Sequence, residues 1–133
     1  MSDAAAGGTT GSCACGSLRF ALEFPTRFVA HCHCEACRRA HGAAFVTWAG
    51  VPAERFRWTG DTGTLRSWGT PSGATRRFCG TCGSTLTYEG PKYPGEVHVA
   101  VANLDGEPDR PPKGHAFANE APRWCPITDD LPR

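Results

Sequence analysis

HCHCEACRRAHG, residues 31–42, places Cys32, Cys34 and Cys37 within six positions and sets histidines beside them. Soft ligands at this density point to a metal site. Five more cysteines occur, as Cys13-Ala-Cys15, Cys79-Gly-Thr-Cys82 and a lone Cys125 near the end. Closely spaced pairs drawn from distant segments are a common way to build the tetrahedral thiolate cage that zinc prefers, so two pairs complete one site. Gly16 and Gly83, each following a cysteine pair, can supply the left-handed backbone of a tight metal-binding turn.

Context favours metal over disulfides. The start, MSDAAAGGTTGS, lacks a basic segment followed by an apolar run, and no stretch reaches the roughly 20 apolar residues of a membrane span. A soluble, cytoplasmic protein is expected, and there thiols stay reduced. With a formal charge of +1 and no long Lys/Arg block, neither nucleic acid nor an anionic membrane is an expected partner.

The 133 residues suit one domain, and 16 Gly with 11 Pro imply many turns and short elements. Residues 1–10, small and polar, read as a disordered tail, leaving 11–133 as a single zinc-binding domain. In LRFALEF, Leu18, Phe20, Leu22 and Phe24 alternate as in a half-buried strand. Further strands are expected in FVAHCHC, AFVTWAGV, TLRSW, ATRRF, STLTY and EVHVAVA, between Gly, Pro, Asp and Ser clusters. One short helical segment is expected from about Cys34 to His41, closed by Gly42. Phe45, Trp48, Trp68, Phe78 and Trp124 read most simply as core.

The middle cluster holds three cysteines, not four. Residues two apart on a strand share a face, so Cys32 and Cys34 point together and His31 and His33 point away, which makes the histidines poor fourth ligands. Cys125 is another candidate, although an isolated cysteine is more often a small buried hydrophobe. If neither closes the site, three protein ligands and an exchangeable water remain, the arrangement of a catalytic zinc. Three thiolates leave such a centre with net charge −1, suited to activating a thiol and not to hydrolysis. Two other readings stand beside this one. CGTC can be a redox pair, but that needs a following helix where this sequence reads as strand. A purely structural metal, worth on the order of 10 kcal/mol to folding, would instead make the chain a non-catalytic module that binds a protein partner.

Taken together, GSCACG, HCHCEACRRAHG, RFCGTCGS, NLDGEP and a final Trp followed by DDLP resemble the GFA family, the glutathione-dependent formaldehyde-activating enzymes, a group that includes centromere protein V. The resemblance spans Gly11 to about Pro132 and implies a mainly β, β-tent fold of several small antiparallel sheets around zinc, with two zincs per chain. It also divides the ligands, which spacing does not: Cys13, Cys15, Cys79 and Cys82 match the structural zinc site, and Cys32, Cys34 and Cys37 the catalytic one. The implied reaction is that of a carbon–sulfur lyase, joining glutathione to formaldehyde as S-(hydroxymethyl)glutathione, with a thiolate attacking the carbonyl carbon. Two features depart from the family pattern, Asn103 in NLDGEP and the additional Cys125.

Two zincs on seven thiolates change the formal charge from +1 to −2, because 1 + 4 − 7 = −2. Arginines near the cysteines can offset this or receive substrate carboxylates. The candidates are Arg38, Arg39, Arg76 and Arg77, and Arg38, one residue beyond a ligand, is the expected catalytic arginine.

Overall fold

The computed structural model describes residues 7–133 and is mainly β, with ten strands and one α-helix among them. Strands β1 (Gly8–Ser12), β2 (Arg19–Glu23) and β5 (Phe56–Thr59) form an antiparallel sheet in the order β1-β2-β5. The larger sheet runs β10-β3-β4-β9-β8-β7-β6. Its members in chain order are β3 (Phe28–Cys32), β4 (Val46–Pro52), β6 (Leu65–Gly69), β7 (Thr75–Cys79), β8 (Thr85–Glu89), β9 (Glu96–Ala100) and β10 (His115–Ala116). It is antiparallel except where β10 runs parallel to β3. Thus the β character is as expected, but most strands join one seven-stranded sheet instead of several small ones.

The seven strands expected from residue alternation all form. Phe20 and Leu22 of β2 are buried while its Arg19 and Glu23 are exposed, as period-2 packing requires. β4, flanked on both edges by β3 and β9, is buried almost throughout, so its sequence VTWAGVP loses the alternation of a half-solvated strand. At Gly50 on that strand a Cβ would stand 2.2 Å from the Phe28 ring of the paired residue, so glycine makes room for an aromatic laid flat across the sheet.

Order starts earlier than expected. β1 takes in residues 8–10 of the anticipated tail, because Gly8 to Ser12 pair residue for residue with Glu23 to Arg19. Gly7 lies in a turn ahead of β1, and residues 1–6 of the tail lie outside the described residues. The NLDGEP segment explains part of this: Asp105 accepts from Thr10 Oγ1 at 2.6 Å and donates its backbone N–H to Thr10 O, while Asn103 Nδ2 donates to Ser12 O. Asn103 is therefore a clamp on β1.

Leu18, Phe20, Leu22, Val51, Leu86, Val97 and Val99 form the main core together with Cys13 and Cys79, so the two sheets meet around one cysteine pair. A second cluster gathers Cys32, Cys37, Val46, Trp48 and Ala100. Of the aromatics expected in the core, Trp48 is buried, but Trp124, Trp68 and Phe45 are 72%, 54% and 38% exposed. Trp68 lies on β6, the free edge of the large sheet, and stays more than half exposed there. No helix among the described residues is long and apolar enough to cross a membrane.

Candidate metal centres

Cys13 and Cys15 follow β1, whereas Cys79 ends β7 and Cys82 lies in the turn before β8. A register shift between Arg77 and Phe78 interrupts the β7–β8 ladder just ahead of Cys79, turning the strand end out of regular pairing. Gly16 (φ 82°) and Gly83 (φ 81°) adopt the left-handed backbone expected of them and close each turn with N–H bonds to Cys13 O and Cys79 O. The four sulfurs lie within 4.8 Å of one another. Cys15 Sγ stands 3.6 Å from Cys13 Sγ and 3.8 Å from Cys79 Sγ. A tetrahedron with zinc–sulfur bonds of 2.3 Å has an edge of about 3.8 Å, which these two separations match, so the four-sulfur set suits zinc.

Donors already surround these sulfurs. Leu18 N–H points to Cys13 Sγ at 3.3 Å and Thr81 N–H to Cys79 Sγ at 3.3 Å. The Ser17 hydroxyl lies 3.2 Å from Cys15 Sγ and 3.3 Å from Cys79 Sγ. Its hydrogen bond, with backbone N–H groups of Cys82 and Thr81, holds the Cys79 thiol well below its ordinary pKa. The environment is that of a thiolate. After Cys82 the chain continues into β8 and not a helix, which is the wrong setting for a thioredoxin-type CxxC.

Cys32 ends β3, Cys34 caps helix α1 (Glu35–His41), and Cys37 lies in its first turn. The Cys34 sulfur accepts from Cys37 N–H at 3.3 Å, so a thiol takes the capping role usually filled by Ser or Asp. Gly42, at φ 61°, ends the helix where the sequence placed its cap. These three sulfurs also lie within 4.8 Å of one another, and among the described residues no other His, Cys, Asp or Glu joins them. His31 and His33 lie elsewhere. His33 Nε2 sits 2.8 Å from His115 Nδ1, His115 Nε2 sits 2.8 Å from Asp129, and His31 bonds Thr47. Cys125 belongs to neither sulfur group.

The protons of this trio are shared unequally. Hydrogen bonds from Cys32 and Cys34 push the Cys37 thiol pKa down, aided by Arg76, while hydrogen bonds with Cys34 and Cys37, together with burial, push Cys32 up. A divalent metal would displace the protons these thiols carry.

A cavity of about 240 Å³ opens on these cysteines. Phe28, Trp48, Tyr88, Tyr93 and Phe117 wall it, with His98, Lys92 and Arg76 as its nitrogen-bearing groups. Sequence reading missed most of this wall. His98 could have been singled out as the polar side chain inside the apolar run VHVAVA, but Tyr93 sits in a turn whose direction only the fold sets.

The four candidate arginines separate clearly. Arg38, the expected catalytic one, does not line the cavity; its Nε donates to His33 O at 3.1 Å and its Nη2 to Glu120 O at 3.3 Å. It turns away because Cys37 and Arg38 are neighbours on a helix and leave it in different directions. Arg39 pairs with Glu35 one turn back, fully in solvent, and Arg77 pairs with Glu89. Arg76 alone meets the cysteines, with Nη2 3.6 Å from Cys37 Sγ.

Comparison with known proteins accords with this arrangement. The pattern of the family described as glutathione-dependent formaldehyde-activating enzyme, GFA, matches residues 8–120. The chain belongs to the GFA family. A Halomonas elongata protein described as a candidate glutathione-dependent formaldehyde-activating enzyme is 29% identical to this GFA member over 132 aligned positions, covering 88% of this chain and 79% of the relative. A crystal structure of a Rhodobacter sphaeroides protein superposes with a TM-score of 0.63 at 28% identity, covering 73% of this chain and 88% of that one.

Proposed function

We propose that this GFA member is a zinc-dependent carbon–sulfur lyase that joins glutathione to formaldehyde as S-(hydroxymethyl)glutathione, and reverses that step. The observation that carries the reading is the trio Cys32, Cys34 and Cys37, which offers three sulfurs within 4.8 Å and opens onto a cavity instead of onto a fourth protein ligand. Three protein ligands with a free position is the pattern of catalytic zinc, whereas the four-cysteine set has the closed pattern of structural zinc. When bound, zinc would keep a substrate thiol deprotonated and electron-rich at neutral pH.

The residues of the chain do the rest. Cys32, Cys34 and Cys37 would hold, at the cavity floor, the metal to which the reacting sulfur comes, and the aromatic wall keeps competing water from the aldehyde. The sulfur lone pair forms the C–S bond as the carbonyl π pair moves onto oxygen. The proton released by the thiol goes to solvent, and the new alkoxide takes one back, so atoms and charge balance. Arg38 braces the loop between β3 and the C-terminal segment rather than touching substrate. Cytoplasm suits this chemistry, since it supplies reduced glutathione.

Exchange between free formaldehyde hydrate and the glutathione adduct, followed by NMR with carbon-13 formaldehyde, tests the proposal. Zinc-loaded protein at catalytic concentration is expected to speed the exchange, and Cys34→Ser to abolish that gain while remaining folded. Undiminished acceleration by Cys34→Ser contradicts it.

A further inference from the structure

Arg76 is a buried cation with spare donors. It is 4% exposed, its Nη2 lies 3.6 Å from Cys37 Sγ, and its Nε and Nη1 are buried with no hydrogen-bond partner among the described residues. No carboxylate in the described residues forms an ion pair with it. Its guanidinium carbon sits 4.9 Å from the centroid of the Tyr88 ring, its cross-strand neighbour, which fixes the plane of the fork. Leaving two nitrogens of a buried guanidinium unmet, with three N–H groups between them, costs more than any single hydrogen bond returns, so a ligand that met them would be favoured.

The position of the fork says what kind of ligand. Arg76 lines the same cavity as the three cysteines and its Nη2 touches one of them, so one end of its guanidinium stands beside the place a substrate sulfur would take there. An oxygen two or three bonds from such a sulfur would be the first to meet that fork. The carboxylates of glutathione stand many more bonds from its sulfur.

We propose that Arg76 is an oxyanion-binding residue, and that the cavity selects thiols and thiol adducts carrying a negative or developing negative oxygen two or three bonds from sulfur. This rests on the thiol-binding reading above and deepens it: in the addition of a thiol to an aldehyde, the oxygen that gains the electron pair stands two bonds from sulfur. A planar fork with two unmet donors matches such an oxygen better than a point charge does. The paired demand is mutual, since the same oxygen satisfies the orphaned donors.

The test is binding, measured by calorimetry on the zinc-loaded protein with mercaptoacetate and with 2-mercaptoethanol. The two probes match in length, and only the first carries a carboxylate. The expected result is mercaptoacetate binding at least about tenfold more tightly, the advantage vanishing in Arg76→Met at unchanged zinc content and falling several-fold in Arg76→Lys, which keeps the charge without the fork. Should Arg76→Met fail to hold zinc, Arg76→Lys carries the comparison. A purely structural role, screening the cysteine thiolates, would weaken zinc retention but leave the ratio of the two affinities unmoved. Equal affinities in the unaltered protein, or a preference that survives both substitutions, overturns the oxyanion role while leaving the thiol site standing. Binding of neither probe overturns both the role and the functional reading beneath it.

Discussion

Arg76 Nη2 lies 3.6 Å from Cys37 Sγ, across the gap between strand β7 and helix α1. Three thiolates on a divalent metal leave a charge of −1, and one guanidinium cancels it, so the pair would make the floor of the cavity neutral overall when loaded. Neutrality matters here because Arg76 is almost fully buried and without a carboxylate partner among the described residues. It also separates the work of Arg76 from that of Arg38, whose donors go to backbone carbonyls.

Arg38→Ala should therefore cost stability and not chemistry. Removing its bonds to His33 O and Glu120 O frees the C-terminal segment from the loop after β3, at about 1–2 kcal/mol. Urea unfolding of the zinc-loaded variant reads the loss, and its exchange rate per folded molecule should match that of the parent. A rate lowered by a hundredfold or more with unchanged stability would instead make Arg38 a substrate contact.

Division of labour between the two cysteine sets predicts unequal thermal shifts. Cys15 and Cys79 are 64 residues apart, and that set joins the two sheets, whereas Cys32 and Cys37 close a loop of six residues. Loop-closure entropy grows with the length spanned, so the first metal contributes more to folding. Cys82→Ala is expected to lower Tm by at least about 10 °C and Cys34→Ala by clearly less. Equal shifts in calorimetric scans would remove the distinction.

Stability should weaken on mild acidification through His98. Burial holds its pKa below the ordinary 6.5, with Glu96 at 3.0 Å working the other way. Below pH 6.5 the unfolded chain takes up a proton that the folded chain refuses, so stability falls as pH drops toward the lowered folded pKa. His41, partly buried and also lowered by burial, adds in the same direction. His98→Gln, which keeps a donor for Glu96, should flatten the dependence of the urea midpoint between pH 7 and 5. An unchanged slope contradicts this source of acid sensitivity.

Much of this molecule is written in its sequence, and the exceptions have physical reasons. Strands with a half-buried face announce themselves by alternation, as Phe20 and Leu22 do. β1, GTTGS, carries no apolar side chain and exists because β2 and Asp105 pair with its backbone. β5, FRWT, does place Phe56 and Trp58 against the core, yet four residues are too few for a clear period. β10 has two residues, too few for any pattern, and is set by pairing with β3 and by the bond from His115 N–H to Pro132 O. The cysteine clusters were legible from their spacing, whereas their division into a set of four and a set of three came from the family resemblance. The arginine was not: nearness in sequence favoured Arg38, while nearness in space came from the register that sets Arg76 opposite Tyr88 and beneath the helix.

If the trio Cys32, Cys34 and Cys37 holds a metal with one position open to a thiol, cobalt-substituted protein titrated with glutathione should reveal it in its sulfur-to-metal charge-transfer absorption. The absorption should rise and saturate in the parent protein and stay flat in Cys34→Ser. A spectrum already complete before glutathione is added, and unmoved by it, would mean that no position is open.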